Sequence, residues 1–112
     1  MPEREPGLVN ALIRCVRDDR AAERWFELVR ADLGLWVREL DAPFSKGWNG
    51  QIESVHVKLK ELRHELASLK EGSDDFTLHL GMVSFLPVRI PQQLMELALE
   101  CGFGIEVSIE SP

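Results

Sequence analysis

Residues 89–111 read RIPQQLMELALECGFGIEVSIES, and this stretch joins a helical pattern directly to a strand pattern. Pro91 suits the first turn of a helix, because a backbone N–H there has no partner within the helix. Gly102 is the expected end of the helix. The inner face of the helix comprises Leu94, Leu97, Ala98 and Cys101. The strand that follows points Phe103, Ile105, Val107 and Ile109 inward and Gly104, Glu106, Ser108 and Glu110 outward.

The preceding segments extend this pattern into a strand–helix–strand unit. Residues 76–83 alternate with period two, which predicts a strand. Its inward residues are Phe76, Leu78, Leu80 and Met82. Residues 51–72 form an amphipathic helix, and its apolar stripe consists of Ile52, Val55, Leu59, Leu62, Leu66 and Leu69. We expect the middle of this stripe to pack on a sheet that carries Leu78, Leu80, Ile105 and Val107.

The N-terminal third is predicted from shorter patterns. Residues 8–16 favour a strand with mixed faces, and a short helix is the alternative. Residues 20–34 predict an amphipathic helix that Gly34 ends, since their apolar residues recur at helical spacing. These residues are Ala22, Trp25, Phe26, Val29 and Leu33. Residues 35–40 suggest a short strand, and residues 41–50 are a predicted loop that contains Trp48.

Together these segments predict an α/β (α+β) fold. We expect a single sandwich of one mainly antiparallel sheet with about three helices, in the order β-α-β-α-β-α-β. Residues 1–7 are predicted to be a flexible tail and residues 8–112 a single α/β domain, which matches the size of one domain.

Composition limits the classes of function. The formal net charge of −6 argues against binding to nucleic acid or to anionic membranes, and it is compatible with a basic protein partner. No apolar run is long enough to cross a membrane, and the first residues lack the apolar core of a signal peptide. The two cysteines fall in apolar patterns, so they are expected as buried thiols. A cytoplasmic location is therefore expected.

The sequence contains no recognisable set of catalytic residues. His56 and His64 each follow a glutamate by three residues on one predicted helix, but they are too far apart to ligate one ion. The remaining histidine, His79, belongs to a predicted strand. A metal enzyme that uses one of these histidines is the least favoured interpretation. We expect no catalytic residues, no metal and no cofactor.

Two features remain as candidate binding sites. Trp48, with Phe44 nearby in the predicted loop, is either a binding anchor or a plug that folds back over the sheet. The chain has no Lys or Arg after Arg89, while four glutamates remain. These are Glu96, Glu100, Glu106 and Glu110, the last two on the outer face of the final strand. They form either an acidic surface for a basic partner or a solvated face that discourages aggregation.

The pattern from Trp48 to Ile109 resembles a family of small bacterial domains of unknown function found near antibacterial toxin genes. The resemblance rests on Trp48 after a turn, the helix VKLKELRHEL, the closure CGFG and the final strand IEVSIE. The N-terminal third departs from the family, which has a longer strand region. Size and acidity are also similar to those of immunity proteins.

The resemblance implies a non-catalytic cytosolic protein that binds and blocks a bacterial toxin or another basic protein. A small-ligand-binding or regulatory α/β module is the alternative, and a homodimer is possible in either case.

Overall fold

The structure of this protein is a computed structural model. It describes residues 6–18, 20–70, 76–84 and 88–110. The strands are β1 (Gly7–Val16), β2 (Glu27–Arg30), β3 (Leu35–Glu39), β4 (Thr77–Val83) and β5 (Gly104–Glu110). The helices are α1 (Gly47–Lys70) and α2 (Gln92–Glu100), with a 3-10 turn at Phe44–Lys46 before α1. β1 thus begins at Gly7, and most of the predicted tail lies outside the described residues, as does the side chain of Leu69.

All five strands form one mixed sheet in the order β2-β3-β1-β4-β5. The β2–β3, β1–β3 and β1–β4 pairs are antiparallel, and β4 and β5 are parallel. A parallel pair needs a crossover, and α2 supplies it. The predicted α+β class and the strand–helix–strand unit are confirmed.

Both helices cover the same face of the sheet. Alternate residues of β1 and β4 point to this face. These side chains are fully or almost fully buried, and they are Ala11, Ile13, Cys15, Leu78, Leu80 and Met82. The helices bury Val55, Leu59, Leu62, Leu66, Leu94, Leu97 and Ala98 against them. The predicted burial of the leucine stripe of α1 is therefore confirmed over the residues whose side chains are described. No described segment covers the opposite face of the sheet.

The end of α2 is built as the sequence predicts. Gly102 has φ 74°, a conformation that glycine adopts without a Cβ clash. The N–H of Gly102 donates to the carbonyl of Leu99, and the N–H of Phe103 donates to the carbonyl of Ala98. This pair of hydrogen bonds is the Schellman motif, and it turns the chain directly into β5.

The helix predicted over residues 20–34 is wrong. The segment forms one set of hydrogen-bonded turns at residues 20–26 and then β2, which pairs with β3. Ala22 and Phe26 are buried, but Val29 and Leu33 are 47% and 56% exposed, so the stripe is not a continuous core face. An isolated helix of this length is marginal, whereas β2 gains hydrogen bonds from a neighbouring strand. Over the described residues, the element order is consequently β-β-β-α-β-α-β, with two α-helices instead of the expected three.

Two further expectations need correction. α1 begins at Gly47, so Trp48 lies in its first turn and not in a loop. Gly47 and Gly50 are poor helix formers, which is why the sequence pattern indicates a loop there. On β5, Val107 and Ile109 are 39% and 52% exposed instead of buried, because β5 is an edge strand that the short α2 covers only in part.

Candidate functional site

β5 is the most exposed strand of the sheet and lies at its edge. Only its neighbour β4 pairs with it among the described strands. Six of its seven residues are exposed, and Ile105 is half-buried. The register with β4 runs from Gly104 to Glu110 without a bulge. A straight strand with an unpaired side is able to accept another strand.

The backbone groups of β5 alternate between β4 and the outer edge. The N–H of Gly104 donates to the carbonyl of Phe76, and the carbonyl of Glu110 accepts from the N–H of Ser84. Residues in a strand direct their N–H and C=O alternately to the two sides. Ile105, Val107 and Ile109 therefore direct their backbone groups to the outer edge, where no described strand pairs with them.

An apolar strip runs along this edge on the helix side of the sheet. Val107 and Ile109 stand opposite the buried Leu80 and Met82, so their side chains lie on the face that α2 covers. Met95 and Leu99 of α2 are 39% and 72% exposed. We call Met95, Val107 and Ile109 the β5 edge strip.

The orientation of α2 places Met95 on the flank nearer β5. Arg63 Nη1 of α1 lies 3.5 Å from Glu100 Oε2, which fixes one flank of α2 toward α1. Leu99, which is 72% exposed, lies on the side of α2 away from its buried face, and Met95 lies on the flank away from Glu100. Because α1 contacts β1 and α2 contacts β5, that flank is on the side of the outer edge.

On the opposite face of the sheet, three side chains form a cluster across β1, β4 and β5. Glu106 accepts hydrogen bonds from Arg14 Nη2 and from His79, with 2.8 Å between His79 Nδ1 and Glu106 Oε1. The hydrogen bond from His79, with a smaller contribution from Arg14, lowers the pKa of Glu106 below its usual value of 4.5. We call these residues the Arg14–His79–Glu106 cluster.

The four predicted glutamates do not form one patch. Glu106 and Glu110 lie on the face of β5 opposite the helices, whereas Glu96 and Glu100 lie on α2. Glu96 accepts a hydrogen bond from Gln92 at 2.9 Å, and Glu106 belongs to the cluster. Glu110 forms no side-chain ion pair with the described residues. Its carboxylate is therefore the one on β5 that a partner meets without displacing an internal ion pair.

Phe44 and Trp48 lie at one end of the sheet and differ in exposure. Phe44 is 62% exposed and its ring packs against Gly7, beside an open groove of about 490 Å³. Trp48 is half-buried and packs against the core, as the plug alternative requires. Gly7 pairs with Val83, and Val83 pairs with Glu110, so Phe44 and Glu110 share this end of the sheet.

Gln51 fixes this end of the molecule. Its fully buried side-chain amide accepts a hydrogen bond from the N–H of Leu8 at 2.9 Å, and it donates to the carbonyls of Leu8 at 2.9 Å and Ala42 at 2.7 Å. These three bonds tie β1, residues 40–43 and the second turn of α1 together. Sequence reasoning missed this role, since a glutamine in a helix carries no signal of such long-range contacts.

The histidines lie apart. His56 and His64 are on α1, and His79 is on the face of the sheet that α1 does not cover. Within the described ranges, no three His, Cys, Asp or Glu side chains are placed to hold a metal ion. None of the described helices is long and apolar enough to cross a membrane.

The residues that sequence reasoning missed have partial signals. Met95 and Leu99 are apolar residues off the inner face of the predicted α2, which marks them as exposed. His79 and Glu106 both fall at outward positions of strands, but only the register reveals that they stand opposite each other. When the chain was compared with models of protein families, with curated proteins and with solved structures, nothing matched it.

Proposed function

We propose that this protein is a non-catalytic cytosolic binding protein that inhibits a basic protein partner, in the manner of an immunity protein that blocks a bacterial toxin. The resemblance of residues 48–109 to small bacterial domains found near toxin genes supports this proposal. The acidic character of the chain, with a formal net charge of −6, supports a basic partner.

The observation that carries the proposal is the exposure of β5. An edge strand with six exposed residues presents carboxylates on one face and apolar side chains on the other. Contiguous exposed apolar side chains next to polar ones are typical of protein interaction sites. Polar groups at such a rim steer a partner of opposite charge toward the surface and raise the association rate.

Co-expression with a basic toxin encoded by a neighbouring reading frame tests the proposal. We expect the protein to rescue growth and to form a stable complex with that toxin on size-exclusion chromatography. The association rate should fall as salt increases, because screening weakens the steering. Failure to rescue growth, together with the absence of a complex, would contradict the proposal.

Charge reversal at the two edges of the sheet gives a matched comparison. Glu110→Lys changes the exposed β5 edge, whereas Glu27→Lys changes an exposed glutamate on β2 at the opposite edge. Both variants change the net charge equally. We expect Glu110→Lys to slow association with the toxin more than Glu27→Lys does; equal effects would show that only net charge matters and that β5 is not the binding surface.

A further inference from the structure

We propose that the outer edge of β5 receives an extended strand of the partner in which Lys or Arg alternates with apolar residues. This inference rests on the proposed function and specifies how a basic partner is held. Strand addition to an exposed edge gains affinity from backbone hydrogen bonds and specificity from alternate side chains.

The backbone of β5 is arranged for such pairing. Ile105, Val107 and Ile109 each direct an N–H and a C=O to the outer side, where none of the described strands pairs with them. Natural edge strands are usually protected by charged side chains, proline or a bulge. β5 contains neither Lys nor Pro, its register with β4 has no bulge, and its two glutamates, which repel an acidic strand but attract a basic one, both lie on the face opposite the helices.

The side chains around the edge define two different environments. On the helix side, the β5 edge strip offers Met95, Val107 and Ile109 to apolar residues. On the other side, Glu106, Ser108 and Glu110 project; Glu106 is held by Arg14 and His79, so Glu110 is the carboxylate that a basic side chain meets first. Since successive residues of an added strand point to opposite faces, the strand that fits both environments alternates between apolar and basic side chains.

Charge argues against a second copy of this chain as the occupant. Two β5 strands paired about a two-fold axis would bring Glu106 and Glu110 of both copies to the same face of the joined sheet. Like charges on neighbouring strands are destabilising, and each chain carries a formal net charge of −6. A basic strand instead offers opposite charge to Glu110.

A proline substitution tests the backbone contribution. Val107→Pro removes an outward N–H and should leave the bonds to β4 in place, because residue 107 directs its backbone away from β4. Val107→Ala is the matched control, since it shortens the same side chain and retains the N–H. The thermal unfolding of both variants shows whether the fold survives.

The binding probe is a peptide of alternating lysine and valine that matches β5 in length. A peptide of the same composition with its lysines and valines grouped in blocks is the control for charge alone. We expect the alternating peptide to bind more tightly than the grouped one, and Val107→Pro to weaken its binding about tenfold or more relative to Val107→Ala. Should Val107→Pro not fold, N-methylation of the alternate peptide amides that face β5 must produce the same loss on the unaltered protein.

The outcomes separate this inference from the proposed function. Equal binding of the two peptides, or no binding of the alternating one, overturns strand addition. A dimer of the chain that Val107→Pro dissociates also overturns it, because the second copy would then be the occupant. If the toxin binds and Val107→Pro leaves its affinity equal to that of Val107→Ala, the proposed function stands and strand addition fails.

Discussion

His79 and Glu106 face each other across the parallel β4–β5 pair, with 2.8 Å between Nδ1 and Oε1. An ionised carboxylate only accepts hydrogen bonds, so Nδ1 of His79 carries the proton. Arg14 reaches the same carboxylate from β1, two strands away. The last strand is thus joined to the middle of the sheet by side chains as well as by its backbone.

Glu106→Gln is expected to destabilise the fold in a pH-dependent manner. The lowered pKa of Glu106 means that its ionised form stabilises the folded state above the usual carboxyl value of 4.5. This stabilisation is lost as the pH falls through the lower folded-state pKa. Urea denaturation should therefore separate the variant from the unaltered protein near neutral pH, and the difference should shrink in acid. Glu27→Gln is the control, and a pH-independent difference for Glu106→Gln would contradict the prediction.

Leu59→Ala is expected to lower the free energy of unfolding by about 2–5 kcal/mol, because it removes a fully buried side chain and leaves a cavity. Val57→Ala on the same helix is the control, since Val57 is 44% exposed. Chemical denaturation measures both. Equal effects of the two substitutions would mean that the leucine stripe of α1 is not packed on the sheet.

Gly34→Ala is expected to cost at least about 1–2 kcal/mol, the usual penalty for a left-handed backbone at a residue with a Cβ. Gly34 has φ 64°, and an added Cβ would clash with the carbonyl oxygen of Arg17. Gly104→Ala is the control, because the nearest atom, Thr77 Oγ1, is 3.9 Å from the added Cβ. A smaller loss for Gly34→Ala than for Gly104→Ala in thermal unfolding would argue against the positive φ of Gly34 in the turn that joins β2 to β3.

Trp48→Ala is expected to lower stability by about 2 kcal/mol, below the roughly 3–5 kcal/mol typical of a fully buried aromatic. Phe44→Ala should change the free energy of unfolding by no more than about 0.5 kcal/mol, since Phe44 is largely exposed. Thermal unfolding combined with toxin binding kinetics distinguishes the two roles of Trp48. A faster dissociation with an unchanged melting temperature would identify Trp48 as a binding anchor rather than a plug.

Local sequence patterns correctly predict those elements of the fold that do not depend on pairing between distant strands. The stripe of α1, the period of β4 and the glycine that ends α2 are each properties of one segment. The helix prediction for residues 20–34 is wrong because the helical spacing of their apolar residues competes with pairing of β2 to β3. No local pattern reveals that pairing. Exposure of Val107 and Ile109 depends on β5 being at the edge, and strand order is likewise a property of the whole chain.

The candidate site was predictable to the same limited degree. The sequence predicts the correct face of the last strand for Glu106 and Glu110, because strand alternation is local. The contacts of Glu106 with Arg14 and His79 span 92 and 27 residues of sequence, so they follow from register alone. Met95 joins the site only because α1 occupies the other flank of α2.

Because the backbone N–H groups of β5 alternate between β4 and the outer edge, their hydrogen exchange shows whether the outer edge is occupied. The amide protons of Glu106 and Ser108 face β4 and should exchange slowly, whereas those of Val107 and Ile109 face the outer edge and should exchange rapidly. A bound strand would slow exchange at these outward amides and give β5 uniform protection. NMR thus reads occupancy of the edge residue by residue, without any substitution in the chain.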